Sequence, residues 1–167
     1  MADTKPIIEL ELYLIRHGQS EGNVERVTEG LSPMELQDPR LTPLGKKQAA
    51  LCGERFNDTA FDAVYSSALL RAVETATEII KNQPTEKPLF VLPYLTEAGV
   101  SEEYSYYSFT EIHKINKNAV LAEDIDPAKS LFYYNSTRDE ADLFERAEKA
   151  LHYIKMHQKQ GEKIAVV

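Results

Sequence analysis

Leu10, Leu12 and Leu14 alternate with Glu9, Glu11 and Tyr13, and the run turns wholly apolar at Ile15 before it enters Arg16-His17-Gly18. Alternation with period two predicts a strand over residues 9–16. An end that is apolar on both faces predicts a strand of a parallel sheet covered by helices. Such a strand hands a guanidinium and an imidazole directly to a glycine-containing turn. A guanidinium grips phosphate oxygens through its planar fork, and a neutral imidazole beside it is a nucleophile.

The rest of the chain alternates in the same manner. After a polar loop with Gly30, Pro33 and Pro39, Thr42-Pro43 predicts a helix to about Phe56, with Thr42 as N-cap and Pro43 in the first helical position. Phe61–Tyr65 reads as a short strand ending in Ser66-Ser67. A helix to about Lys81 follows, with Leu70, Val73, Ala76 and Ile80 on one face. Leu89–Leu92 is a third strand. Thr137–Gln160 is a long helix whose Thr137 and Glu140 have capping-box spacing and whose core stripe is Leu143, Ala147, Leu151 and Ile154. Ile164–Val167 is a fourth strand. The expected fold is an α/β three-layer sandwich, a mostly parallel sheet with helices on both faces. Residues 98–136 break the rhythm with Tyr104, Tyr106, Tyr107, Phe109, Phe132, Tyr133 and Tyr134 among acids and lysines. They predict a lid-like insertion carrying one short helix near Phe109–Lys117, set over the sheet edge or packed as a helical insertion.

Composition narrows the classes. A length of 167 residues suits one domain with one sizeable core. A net charge of −8 disfavours a broad nucleic-acid or anionic-membrane surface. The single cysteine, Cys52, rules out an internal disulfide framework and reads as a small buried hydrophobe. No metal-type Cys/His spacing occurs, and no cofactor is implied. The N-terminus has no apolar signal region, and no apolar run approaches membrane-spanning length. The expected setting is therefore soluble and cytoplasmic, with neither nucleic acid nor membrane as partner. Neither the substrate nor the oligomeric state is assigned by the sequence.

Ligands of parallel α/β sheets bind beyond the carboxyl ends of the strands. There the first strand delivers Arg16 and His17, the second Ser66-Ser67 and then Arg71, and the third Glu97. With these residues in place, the chain resembles the histidine phosphatase superfamily, which includes phosphoglycerate mutases and many phosphomonoesterases. Arg16-His17-Gly18 with Ser20 and Asn23 is similar to its signature, and Asp38-Pro39-Arg40-Leu41-Thr42-Pro43-Leu44-Gly45 to its second block. Ser66–Ala76 resembles its third block, and Leu95-Thr96-Glu97 its fourth. The resemblance implies that His17 attacks phosphorus to form a phosphohistidine. Arg16 and Arg71 would neutralise the phosphoryl oxygens, and Asn23 would donate to them, with Gln19 and Ser20 grouped as substrate-binding. Glu97 would protonate the leaving alkoxide and then activate water, without a metal. Two guanidiniums are expected to hold His17 neutral, and partial burial to favour the acid form of Glu97.

The family also carries a second active-site histidine just after a late strand, as His-Gly or His-Ala. The late strand here is Lys163–Val167, so that residue is expected one or two positions further on. The expectation is a single domain, 1–167, whose C-terminal portion is missing; the alternative is a protein that has lost a phosphate ligand. His113, His152 and His157 lie in helical patterns far from any strand end and are not recruited to the site; His152 and His157 are read as surface residues. Residues 98–136 offer Lys114, Lys117 and Lys129 and no arginine beside six acids and five tyrosines. That set favours phosphomonoester hydrolysis over phosphoglycerate mutase-type transfer. A catalytically inactive phosphate- or protein-binding module is the remaining reading.

Overall fold

The computed structural model describes residues 7–24, 30, 38–97, 109–122 and 140–167. Within them lie five strands: β1 (Glu11–Leu14), β2 (Ala63–Ser66), β3 (Leu89–Val91), β4 (Ala119–Leu121) and β5 (Lys163–Val166). They form one sheet in the order β1-β5-β2-β3-β4, and each of the four pairings is parallel. The helices are α1 (Pro43–Arg55), α2 (Leu70–Lys81), α3 (Phe109–Ile115) and α4 (Glu140–His157).

The alternation of side chains along the strands splits the interior in two. Val64, Leu89, Val91 and Ala165 face α2 and α3, with Ile79 and Ile112 closing that core. Tyr13 belongs to it as well, meeting Phe61 edge-on at 5.1 Å between ring centroids. Ala63, Tyr65, Ile164 and Val166 point the other way, onto Ala150, Tyr153 and Ile154 of α4. Helices thus cover both faces, and every residue of β2 is buried, as a central parallel strand requires. The expected three-layer α/β architecture is the one observed.

Three details differ from expectation. The segment 98–136 is not wholly an excursion, because residues within it supply β4, paired with β3 through Leu89↔Ala119 and Val91↔Leu121. A strand of three residues carries too short an apolar run to register as a period. The aromatic residues 104, 106, 107 and 132–134, Lys129, and the Thr137 cap lie outside the described residues. The stripe on α4 is rotated: Ala150, Tyr153 and Ile154 are buried, whereas Ala147 and Leu151 are exposed. Tyr153 docks edge-on against Tyr65, and an aromatic ring with a polar tip brings more area to that contact than a methyl. Finally, β1 is an edge strand among the described residues, and Leu14 is 79 % exposed.

Candidate active site

At the carboxyl end of β1 the chain leaves the sheet and turns sharply under α1. Gly18 and Gly45 allow this turn: a Cβ on Gly45 would lie 1.9 Å from the Gln19 carbonyl oxygen, and one on Gly18 2.4 Å from that of Gly45. Thr42 caps α1 by accepting from the Gly45 amide at 3.0 Å, and its hydroxyl donates to Gln19 Oε1 at 2.8 Å. The Gly18 amide donates to Thr75 Oγ1 of α2. The turn that carries His17 is thereby tied to two helices.

The imidazole is fixed at both nitrogens. Its Nδ1 lies 2.6 Å from the Gly18 carbonyl oxygen, which can only accept, and Arg71 Nε, which can only donate, lies 3.2 Å from Nε2. These partners assign the proton to Nδ1 and leave the lone pair on Nε2. The imidazole titrates below its ordinary value, chiefly because it is half buried; the Gly18 carbonyl opposes this, and Arg71 and Arg16 add to it. The expected neutral imidazole is therefore present, with burial as its leading cause and the guanidiniums second.

Arg71, in the first turn of α2, is the hub. Its Nη2 donates to Glu97 at 2.7 Å, its Nε meets His17, and its Nη1 lies 3.8 Å from Asp38. The Arg71 side chain is 8 % exposed and that of Asp38 1 %, whereas Glu97 is 64 % exposed. The partial burial expected of Glu97 is thus overturned: it follows the turn Pro93–Leu95, beyond the layer that covers β3. Asn23 accepts from the Ser20 amide and hydroxyl through Oδ1, at 3.0 and 2.9 Å. Its amide nitrogen is left as the donor end. Ser20, 3 % exposed, acts on Asn23 rather than presenting its own hydroxyl.

Arg16, His17, Ser20, Asn23, Arg71 and Glu97 line one pocket of about 510 Å³. Gln19 does not join them; it lines the neighbouring crevice with Gln48 and Cys52. The Cys52 thiol is half buried rather than enclosed, and burial pushes its titration up. His113, His152 and His157 are exposed and remote from this pocket. Since β5 lies between β1 and β2, its carboxyl end opens into the same pocket, which Val167 lines.

Sequence reasoning missed the acids beneath the site. Both carboxylate oxygens of Asp38 accept from the Leu70 amide, at 3.0 and 3.1 Å, so an acid remote in sequence caps α2 in place of Leu69, which has no capping side chain. Burial pushes Asp38 up to about 7, against the pull of the Leu70 amide, Arg71 and Arg40. Glu74 accepts from the Leu41 amide at 2.8 Å and from Arg40 Nη2 at 2.7 Å. The only signal available was that Asp38 and Glu74 fall within motif blocks; spacing alone does not bring them to Arg71.

A parallel sheet with this cluster at its carboxyl edge has a clear counterpart. Residues 12–167 match the profile of the histidine phosphatase superfamily (branch 1), and the chain belongs to that family. It is 38 % identical over 98 residues to a 2,3-bisphosphoglycerate-dependent phosphoglycerate mutase of Bartonella henselae, covering 57 % of this chain and 45 % of the mutase. It is 37 % identical over 107 residues to a mannitol-1-phosphatase of Eimeria tenella, covering 59 % and 33 %. Each alignment thus spans less than half of the relative. The fold of a phosphoglycerate mutase from Bacillus anthracis superposes with a TM-score of 0.61 at 22 % identity, over 93 % of this chain and 73 % of that chain.

Proposed function

We propose that this chain belongs to a metal-independent phosphomonoester hydrolase that acts through a phosphohistidine on His17. The observation that carries the reading is the arrangement at the imidazole. Nδ1–H is held on the Gly18 carbonyl, and the Nε2 lone pair faces a pocket flanked by Arg16 and Arg71.

In this scheme the incoming phosphoryl oxygens take the donors of Arg71, Arg16 and Asn23, and Nε2 is released from Arg71. Nε2 forms a bond to phosphorus as the ester P–O bond breaks, and the electron pair leaves with the alkoxide. Phosphate on Nη2 also displaces Glu97 from its cation. A carboxyl next to a phosphoryl dianion favours its protonated form, and Glu97 gives that proton to the alkoxide. Water then attacks phosphorus, passes a proton to Glu97, and frees Nε2 and inorganic phosphate. Arginine donors stabilise the charge spread over the phosphoryl oxygens. The substrate class is a small phosphorylated metabolite.

The test is hydrolysis of p-nitrophenyl phosphate in the presence of a chelator, beside His17→Ala, with quenching into alkaline denaturant to trap the phosphoenzyme. Turnover and a trapped, acid-labile phosphoryl group are expected in the wild type. His17→Ala should lose at least about a thousandfold in rate and all trapped label, on the scale set by removing a covalent nucleophile. Turnover that survives in His17→Ala overturns the mechanism. Interconversion of phosphoglycerates without net phosphate release would select the mutase reading, which the Bartonella relative keeps in view. Phosphate binding without turnover would select a binding module.

A further inference from the structure

Arg71 is approached from three sides by groups of different standing. Glu97 meets it from solvent and is exchangeable for an anion, and His17 meets it from the pocket wall. Among the described residues, Asp38 alone stands behind it, buried, and is itself held on the Leu70 amide at the start of the same helix. The carboxylate therefore bridges the helix N-terminus and the guanidinium that follows it by one residue.

We propose that Asp38 is the positioning residue of the site: its carboxylate orients the Arg71 guanidinium toward His17 and the phosphoryl pocket, and its neutral acid releases it. The inference rests on the phosphatase reading for its consequence in turnover, but not for the contact itself. A negative charge at the amino end of α2 is favoured by the helix dipole, and the Oδ1 that accepts from the Leu70 amide also stands 3.8 Å from Arg71 Nη1, an ion pair rather than a hydrogen bond. A neutral acid has only one good acceptor oxygen and no charge with which to hold Nη1.

The charged and polar groups that face Asp38 among the described residues come from two segments. They are the Leu70 amide and Arg71 of α2, Arg40 on its own segment, and Glu74 from the next turn of α2. Burial, which outweighs the two arginines, places its titration at about 7, in a range where enzymes of this class would be assayed. That of His17 lies lower, below the ordinary imidazole value. Two acid limbs are thus separable: one near pH 7 set by Asp38, and a lower one shared by His17, which titrates below its ordinary value, and the second ionisation of the phosphate ester.

The decisive measurement is the pH titration of the Arg71 Nε resonance in the full chain labelled with 15N-arginine, for the wild type and Asp38→Asn. It is accompanied by kcat and KM for p-nitrophenyl phosphate from pH 5.5 to 9. The wild-type resonance is expected to titrate with a midpoint near 7; in Asp38→Asn it should be flat between pH 6.5 and 8, with only the lower step of its His17 partner remaining. At pH 8 the variant should lose about tenfold in kcat/KM, and its profile should lack the upper acid limb while keeping the lower. A wild-type Arg71 resonance that is flat between pH 6.5 and 8 overturns the proposal, even where Asp38→Asn fails to fold. So does an Asp38→Asn variant that titrates as the wild type does. A chain that lacks turnover but shows the Asp38-dependent titration removes the phosphatase reading and keeps the positioning role.

Discussion

Among single residues, Asp38 opposes folding where it serves the site. The unfolded chain releases this proton near pH 3.8, whereas the native state keeps it to about 7. Between those values the native state binds more protons, so its stability falls as pH rises. The difference amounts to roughly 4 kcal/mol, absent below about pH 4 and fully developed above pH 7. Urea unfolding at pH 4.5 and pH 8 checks this: Asp38→Asn should gain on the wild type by most of that amount between the two conditions. A constant difference would place the Asp38 titration in its ordinary range. Arg16, His17, Arg71 and Glu97 were legible because each sits a fixed step past a strand or in a helix's first turn. Asp38 was not, because its meaning depends on Leu70 and Arg71, which only the folded chain brings to it.

Among elements, the junction between the His17 turn and α1 is the most demanding packing contact. Thr42-Pro43 announced this helix in the sequence, since its cap and its first residue are local signals. That the same N-terminus must touch the Gln19 carbonyl was not legible, because it is a contact between segments. Gly45→Ala puts a methyl where the Gln19 oxygen lies. The expected loss is about 1–3 kcal/mol from overpacking, together with reduced phosphate affinity, because the displaced turn carries His17. Calorimetric melting and titration with inorganic phosphate measure the two effects. Unchanged melting and affinity would mean that the turn yields without strain. Element α4 shows the opposite case. Its existence was plain from its period, yet the buried face was set by Tyr153 against Tyr65 rather than by the aliphatic stripe. Strand β4 escaped notice because three residues are too few for a pattern.

For the whole molecule, the sheet order governs where stability is concentrated. β5 joins β1 to β2 through Leu12↔Ile164 on one side and Ala63↔Ile164 on the other. Ile164 is fully buried against α4. Ile164→Ala is therefore expected to destabilise by about 2–5 kcal/mol, and hydrogen exchange should show β1 and β2 losing protection together. Loss confined to β5 would mean that the strands open independently.

The same order has a consequence for how the chain is made. Synthesis delivers β1 first and β5 last of the described strands, yet β1 finds its only described partner in β5. The strand that presents His17 therefore waits, with one open edge more than in the described sheet, until residues 163–166 have left the ribosome. A nascent chain can assemble β2, β3 and β4 early, since they are neighbours in sequence and in space. The pairing of β1 with β5 beneath the pocket spans about the longest sequence separation among the described residues, the slowest kind of contact to form. Under the proposed function, phosphate affinity should thus appear in the nascent chain only once β5 has emerged.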